Sequence, residues 1–207
     1  MKRAGMPGSR VEVAKDRLNK PEINRKLLHL VALCIPFGIV LLPHHLAVTV
    51  FAFMACAMAA GEMLRRKSAI LQGLFIAVFG SFLRPEEKHE TTGGTYFFIS
   101  GAICAAVFDA PIAYTAMAFS ILGDAAAAIA GMKFGRIRIA GRKTLEGAIA
   151  SVSACLLFWT VFPQTGFLTA LAAAVLTSLL ELLPLKINDN LAVPLICGFI
   201  LQTWAGW

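Results

Sequence analysis

Residues 111–131 read PIAYTAMAFSILGDAAAAIAG, an apolar run of 21 residues in which Asp124 is the only charged side chain. A helix of about 20 apolar residues spans the hydrocarbon core of a bilayer. Similar blocks recur along a chain that is 58% hydrophobic and only 15% charged. A lipid-exposed backbone must satisfy its own hydrogen bonds, which favours helices. The other predicted spans are residues 27–43, 46–64, 93–108, 145–162, 167–184 and 191–204.

The fold class predicted from these blocks is all-α: a polytopic membrane helix bundle of about seven transmembrane helices. Residues 69–83 are apolar but short. If they do not cross, all 19 Lys and Arg residues fall on one side of the membrane. Cytoplasmic loops collect these residues. We therefore expect 69–83 to form an interfacial or re-entrant helix and the N-terminus to be cytoplasmic.

This topology sets the expected domains and location. Residues 1–26 are predicted to be a basic cytoplasmic segment, and residues 27–207 a single transmembrane catalytic domain. The protein is expected to be multi-pass, in the cell (inner) membrane if prokaryotic, with its active site facing the cytoplasm. The net charge of +7 follows from the topology and suits anionic membrane lipids. No soluble basic domain is left for nucleic acid, and no obligatory protein partner is evident.

Three acidic residues stand out because ionisable groups inside a membrane span are costly and commonly functional. Asp124 lies within the fourth span, Glu181 lies near the cytoplasmic end of the sixth, and Asp189 follows in a short loop. On this topology they share one side, where a shallow cavity could hold all three. The competing interpretation for Asp124 is a structural ion pair with Arg142 or Lys143.

A cationic loop follows the fourth span. It contains Lys133, Arg136, Arg138, Arg142 and Lys143. Thr144 is expected to cap the next helix, whose first turn contains Glu146. Cations before a helix N-terminus favour a bound phosphate. The simpler alternatives are that the cations only obey the topology rule, and that Glu146 only complements the helix dipole.

Small residues at four-residue spacing, Gly123, Ala127 and Gly131, predict close packing of the fourth helix against a neighbour. Arg25 and His29 are four residues apart and share one face of the first helix.

Four sequence blocks together resemble the CTP-dependent lipid kinases, the family of dolichol kinase, phytol kinase and the CTP-dependent diacylglycerol kinase. The blocks span about residues 22–194. They are Glu22-x-x-Arg25-Lys26-x-x-His29; Gly123-Asp124 continuing to Gly131 and Phe134-Gly135-Arg136; residues 141–147, GRKTLEG; and Glu181 with residues 188–191, NDNL, and Pro194.

The resemblance implies a membrane enzyme that transfers the γ-phosphate of CTP to the hydroxyl of a lipid alcohol such as diacylglycerol, a polyprenol (dolichol) or phytol. The two central blocks also resemble phosphatidate cytidylyltransferase, which would form a CDP-lipid from CTP. The short chain and the NDN block favour the kinase. A small-solute or ion transporter is the non-enzyme alternative, although no internal repeat indicates one.

Either enzyme would need Mg²⁺ and cations to organise a triphosphate. The expected catalytic residues are Asp124, Asp189 and Lys143, with Asp124 as metal ligand or general base. The expected metal ligands are Asp124, Asp189 and Glu181. The expected phosphate-binding residues are Arg142, Lys143, Thr144, Lys133 and Arg136. The expected contacts to the lipid headgroup or nucleotide are Arg25, Lys26, His29 and Glu146.

Overall fold

The computed structural model of this protein describes residues 20–83, 86–141, 143–184 and 187–205, and these residues are mostly helical. Residues 1–19, and with them most of the predicted basic segment, lie outside the described residues. The helices are α1 Lys20–Val31, α2 Cys34–Leu41, α3 His44–Lys67, α4 Ala69–Phe79, α5 Gly93–Val107, α6 Ala110–Phe134, α7 Leu145–Val161, α8 Phe167–Leu182 and α9 Asp189–Ala205. A short 3₁₀ helix covers Glu86–Lys88.

The first predicted span, 27–43, is wrong as a single helix. The chain forms α1 and α2 with a turn at Ala32 and Leu33 between them. Pro36 lies in the first turn of α2, and proline has no N–H with which to bond the carbonyl four residues earlier. Helix α1 begins at Lys20, so it continues across the boundary predicted between the basic segment, 1–26, and the transmembrane domain, 27–207.

The other predicted helices agree with the structure to within a few residues. The predicted helix at 69–83 is separate from α3, as expected, and ends at Phe79. Ser68 separates the two helices with an extended backbone, and its hydroxyl accepts a hydrogen bond from the Leu71 N–H at 3.4 Å. Helix α4 contains no buried residue, so it lies on the outside of the structure.

The all-α prediction missed a small hairpin. Strand β1, Arg138–Ala140, pairs antiparallel with β2, Lys143–Thr144. Gly141 turns the chain between them with a φ of 55°, a left-handed conformation that glycine adopts without strain. The hairpin occupies the loop in which the sequence predicted a phosphate site.

Helix α6 is the central helix. Its residues 112–121 are all buried, and it contacts α1, α2, α7, α8 and α9. Two helices, α3 and α6, are long and apolar enough to cross a membrane. A bundle of seven spans remains a prediction, because α5, α7 and α8 are apolar but shorter.

Candidate functional site

Asp124 lies just past the middle of α6, and two side chains from α1 contact its carboxylate. Lys26 forms an ion pair with Oδ2, and the His29 Nε2 is 3.3 Å from the same oxygen. The Lys26 side chain is 2% exposed, whereas the Asp124 side chain is 33% exposed. The carboxylate is therefore held from inside the protein and open on one side.

The ion pair predicted for Asp124 exists, but its partner comes from another part of the chain. Lys26 takes the place expected for Lys143, and Arg142 lies outside the described residues. Arg25 is also close enough to Asp124 to interact electrostatically. The first sequence block of the resemblance, residues 22–29, would be weak evidence alone. In the structure its Lys26 and His29 contact Asp124 of the second block. Lys26 is too deeply buried to reach a headgroup.

Glu181 lies behind Asp124, near the end of α8. Its side chain is buried, and among the described residues its Oε1 has no hydrogen-bond partner. The Ser151 hydroxyl of α7 is also buried and has no hydrogen-bond partner among the described residues. Both atoms lie against Gly123, where a Cβ would come within 2.6 Å of the Ser151 Oγ and 3.5 Å of the Glu181 Oε1. Glycine at position 123 therefore keeps this space open.

Charges from separate parts of the chain surround Glu181. Its carboxylate interacts electrostatically with Asp124, Lys26, Lys143 and Asp189. The sequence predicted that a shallow cavity could hold all three carboxylates. In the structure Asp124 and Asp189 each lie within electrostatic range of Glu181, and the shared site stays a prediction. Asp189 is exposed at the first position of α9.

The two asparagines beside Asp189 have structural contacts. The Asn188 side chain accepts a hydrogen bond from the Asn190 N–H at 3.0 Å, which caps α9. The Asn190 amide donates to the Gly93 carbonyl at 3.2 Å, and the Gly93 N–H donates to the Glu87 carboxylate at 2.8 Å. These contacts attach the start of α9 to the start of α5 and so fix the position of Asp189.

No group of three or more His, Cys, Asp or Glu side chains in the described part of the chain is arranged to hold a metal ion. Asp124, Asp189 and Glu181 therefore do not form a complete ligand set. Mg²⁺ normally keeps several waters and is bound by one or two carboxylates together with substrate phosphates. The unpaired Oε1 of Glu181 is an acceptor of the required type. The residues present fit a magnesium ion that arrives with a phosphate substrate.

The helix cap predicted at Thr144 is confirmed. The Thr144 hydroxyl accepts a hydrogen bond from the Gly147 N–H at 3.2 Å. A Cβ at Gly147 would lie 2.8 Å from the Ala127 carbonyl oxygen, so α6 and α7 pack as closely as the small residues predicted. Lys143 is half-buried next to the cap.

The other predicted residues of this loop lie farther out. Lys133 and Arg136 are exposed, and the Lys133 ammonium lies 5.2 Å from the centre of the Phe134 ring. The Glu146 carboxylate accepts hydrogen bonds from the Ile137 N–H at 3.2 and 3.3 Å. Glu146 therefore connects the start of the hairpin to α7. This structural contact is sufficient to explain a carboxylate at position 146 without a substrate contact.

A second buried ion pair was not predicted. Arg65 and Glu62, both buried in α3, are 2.7 Å apart between Nε and Oε2. Arg65 also donates to the Gln72 side chain and to the carbonyls of Glu87, Lys88 and Glu90. Glu62 accepts from the Thr92 N–H and the Thr95 hydroxyl. We call this set the Glu62–Arg65 network. The rule that singled out Asp124 would have found Glu62, which lies in the predicted span 46–64.

An apolar cavity of about 310 Å³ adjoins the Asp124 site. His29 lines it and also contacts Asp124. Phe97, which packs edge-on against His29 with ring centres 4.4 Å apart, forms another part of its wall. The charged site and the apolar cavity therefore share His29.

Neither protein-family models, curated proteins nor solved structures give a match to this chain. The resemblance stated above rests on the residues alone.

Proposed function

We propose that this protein is a multi-pass membrane enzyme that transfers the γ-phosphate of CTP to the hydroxyl of a membrane lipid alcohol. The observation that carries the proposal is the position of Asp124, which pairs with Lys26 and contacts His29, a residue in the wall of the apolar cavity. A reaction between a highly charged nucleotide and an apolar alcohol needs both environments within reach of one carboxylate. The choice of CTP follows from the resemblance.

The exposed surface supports a membrane location. Helix α3 is long and apolar, yet only 17% of its most apolar window is buried inside the protein. Large apolar side chains on the outer faces of other helices are also exposed, among them Leu157, Leu168 and Phe199. Soluble monomers rarely expose apolar surface on this scale. We infer that lipid covers these faces and that the active site faces the cytoplasm.

In the proposed reaction, a bond forms between the lipid oxygen and the γ-phosphorus while the bond from the γ-phosphorus to its bridging oxygen breaks. The products are a lipid phosphate and CDP. Asp124 accepts the hydroxyl proton, and Lys26 and His29 hold its carboxylate in place. Phosphoryl transfer depends mainly on positioning and charge, so a paired carboxylate is sufficient as the proton acceptor.

Lys143 and the α7 N-terminus at Thr144 bind phosphate oxygens, with Arg136 and Lys133 farther out. Asp189 and the unpaired oxygen of Glu181 would hold Mg²⁺ together with substrate phosphates, while Asp124 serves as the proton acceptor. The bound ion would orient the triphosphate and offset its charge. Arg142 belongs to this group by sequence and lies outside the described residues.

The test is a transfer assay on purified protein in detergent with Mg²⁺, using CTP labelled separately at the γ- and α-phosphates. Diacylglycerol, a long-chain prenol and phosphatidate serve as acceptors, and ATP is the comparison donor. We expect γ-label in a lipid alcohol. Label from the α-phosphate in a CDP-lipid would show a cytidylyltransferase instead. The absence of transfer from either nucleotide by folded protein would overturn the enzyme proposal and favour a transporter.

Asp189→Asn is the first variant for this assay. Asp189 is exposed, so losing its charge should leave the fold intact while transfer falls on the order of 100-fold or more. Asp109→Asn is the matched control. Asp109 is also an exposed carboxylate at a helix start, but it precedes the first residue of α6 and lies away from the Asp124 site. Equal transfer rates for Asp189→Asn and the control would show that Asp189 takes no part in the active site.

A further inference from the structure

The described residues contain two apolar spaces against α4, and both bear on which lipid the site accepts. The first, the inner cavity, is the space of about 310 Å³ beside His29. It lies between α1, α4 and α5. Arg25 and His29 line its side next to Asp124, which we call the polar end, and Phe75, Phe79 and Phe97 are among its apolar lining residues. An amphipathic molecule with one small polar end matches this arrangement.

The second space, the outer groove, lies between α3 and α4 and has a volume of about 480 Å³. Its walls are apolar side chains such as Ala57, Leu64, Leu74 and Val78. Glu62 and Arg65 also reach it, but their charged groups bond each other and the loop before α5. The outer groove therefore offers an apolar surface and no headgroup site.

The two spaces have a common wall. Met58, Phe75 and Phe79 line both of them. The wall is built on α4, which has no buried residue and packs mainly on α3. A forked apolar molecule can therefore place one branch on each side of Phe75 and Phe79 and keep its polar end at His29, next to Asp124.

We propose that the acceptor is a two-chain glycerolipid alcohol, with one acyl chain in the inner cavity and the other in the outer groove. The hydroxyl lies at the polar end of the inner cavity. This proposal rests on the proposed lipid-alcohol function and narrows it. A single-chain prenol would fill one space and leave the other without an occupant.

Glycines provide variants that fill each space. A Cβ at Gly61 meets nothing within 4 Å, and Gly61 lines the outer groove. Gly94 lines the inner cavity, where a Cβ would contact only Met58 and Thr92 at ordinary distances. Gly73 has open space around its Cβ and lines neither. All three lie in helices, where replacing glycine with leucine favours the fold. Gly61→Leu and Gly94→Leu are the tests, and Gly73→Leu is the matched control.

The first measurement is photo-crosslinking without nucleotide. The probes are two diacylglycerols, each with a diazirine at the end of a different acyl chain, and the labelled peptides are mapped by mass spectrometry. We expect one probe to label residues of the inner cavity and the other to label the outer groove. Gly61→Leu should remove only the groove labelling, and Gly73→Leu should leave both. Unlabelled diacylglycerol should compete more strongly than a long-chain prenol, because the prenol fills only one of the two spaces.

The second measurement is transfer to diacylglycerol and to monoacylglycerol. Gly61→Leu should raise the KM for diacylglycerol on the order of tenfold and leave monoacylglycerol unchanged, because only the second chain meets the new side chain. Labelling confined to the outer surface, competition by the prenol as strong as that by diacylglycerol, or equal loss with both acceptors would overturn the two-chain site. Correct labelling without any transfer would overturn the proposed function and leave the two-chain site standing.

Discussion

The described part of the chain contains two buried pairs of a carboxylate and a cation, and the pairs differ in how completely their hydrogen-bonding groups are satisfied. In the Glu62–Arg65 network, both Glu62 oxygens accept hydrogen bonds and all three guanidinium nitrogens of Arg65 donate them. In the group around Asp124, the Oε1 of Glu181 has no partner within the described residues, and Asp124 is open on one side.

This difference separates a structural network from a candidate site. Buried polar groups are nearly always hydrogen-bonded, so an unpaired one calls for an explanation. The Glu62–Arg65 network has a complete structural purpose, since it holds the loop of residues 86–92 against α3 and α4. The Asp124 group keeps unused acceptors and several charges close together. A ligand that completes these bonds explains why such an arrangement is retained.

The largest effect is expected for Arg65→Met. The change leaves Glu62 buried without its cation and frees three loop carbonyls. Breaking a buried pair in this way destabilises a protein by about 3–5 kcal/mol. Thermal unfolding in detergent measures the loss, and Arg66→Met is the control because Arg66 is exposed. Similar unfolding temperatures for the two variants would contradict a structural role for the network.

The second prediction concerns the Lys26–Asp124 pair and separates stability from activity. Asp124→Asn and Lys26→Met should each destabilise the protein by about 2–4 kcal/mol, less than at Arg65 because Asp124 is partly exposed. The double variant should recover most of that loss, since no uncompensated charge remains. Transfer should fall about 10²–10⁴-fold in Asp124→Asn and remain lost in the double variant.

Unfolding curves and initial rates for the four proteins of this double-mutant cycle provide the measurement. Recovery of both stability and activity in the double variant would show that the pair is only structural.

The third prediction compares two buried carboxylates. Glu62→Gln should destabilise the protein by about 1–3 kcal/mol, because its oxygens accept hydrogen bonds that an amide cannot all replace. Glu181→Gln should leave stability unchanged or raise it, since it replaces a buried carboxyl group, whose charged form is unfavourable beside Asp124, with a neutral amide of similar size. The same variant should require more Mg²⁺ for half-maximal transfer. A drop in unfolding temperature as large as that of Glu62→Gln would contradict the open site.

The smallest effect is expected at the hairpin. Gly141→Ala should lower stability by about 1 kcal/mol, because alanine is strained at a φ of 55°. Gly73→Ala, at an open helical position, should instead raise it slightly. Thermal unfolding of the two variants measures these opposite shifts. An unchanged unfolding temperature in Gly141→Ala would show that the hairpin does not hold this turn.

Sequence predicted the helices well, because apolar runs separated by charged or proline-containing loops leave few choices for the ends. The break between α1 and α2 could have been read from Pro36, but the apolar run continued through it. The hairpin at 138–144 is too short for a periodic pattern. Its pairing depends on one left-handed glycine, and sequence does not display a dihedral angle.

The residues of the site were predicted better than their contacts. Of the residues expected at the site, Asp124, Lys143 and Asp189 each lie within electrostatic range of Glu181, whereas their roles stay predictions. Lys26 was expected to contact the substrate and instead pairs with Asp124, because the packing of α1 on α6 is a long-range contact with no local signature. Arg65 entered the sequence analysis only as one of the 19 Lys and Arg residues on the cytoplasmic side. Its spacing of three residues from Glu62 puts both side chains on one face of the helix.

If the protein spans a bilayer as proposed, the pairing of Lys26 with Asp124 also bears on how α6 is inserted. The ribosome makes α1 long before α6, so the cation is already in place when the acidic helix emerges. Inserting a lone aspartate at the centre of an apolar helix costs about 2.5–3.5 kcal/mol. An early partner on α1 offsets part of that cost during synthesis. On the proposed topology, the order of the helices along the chain would thus lower the cost of inserting the helix that carries Asp124.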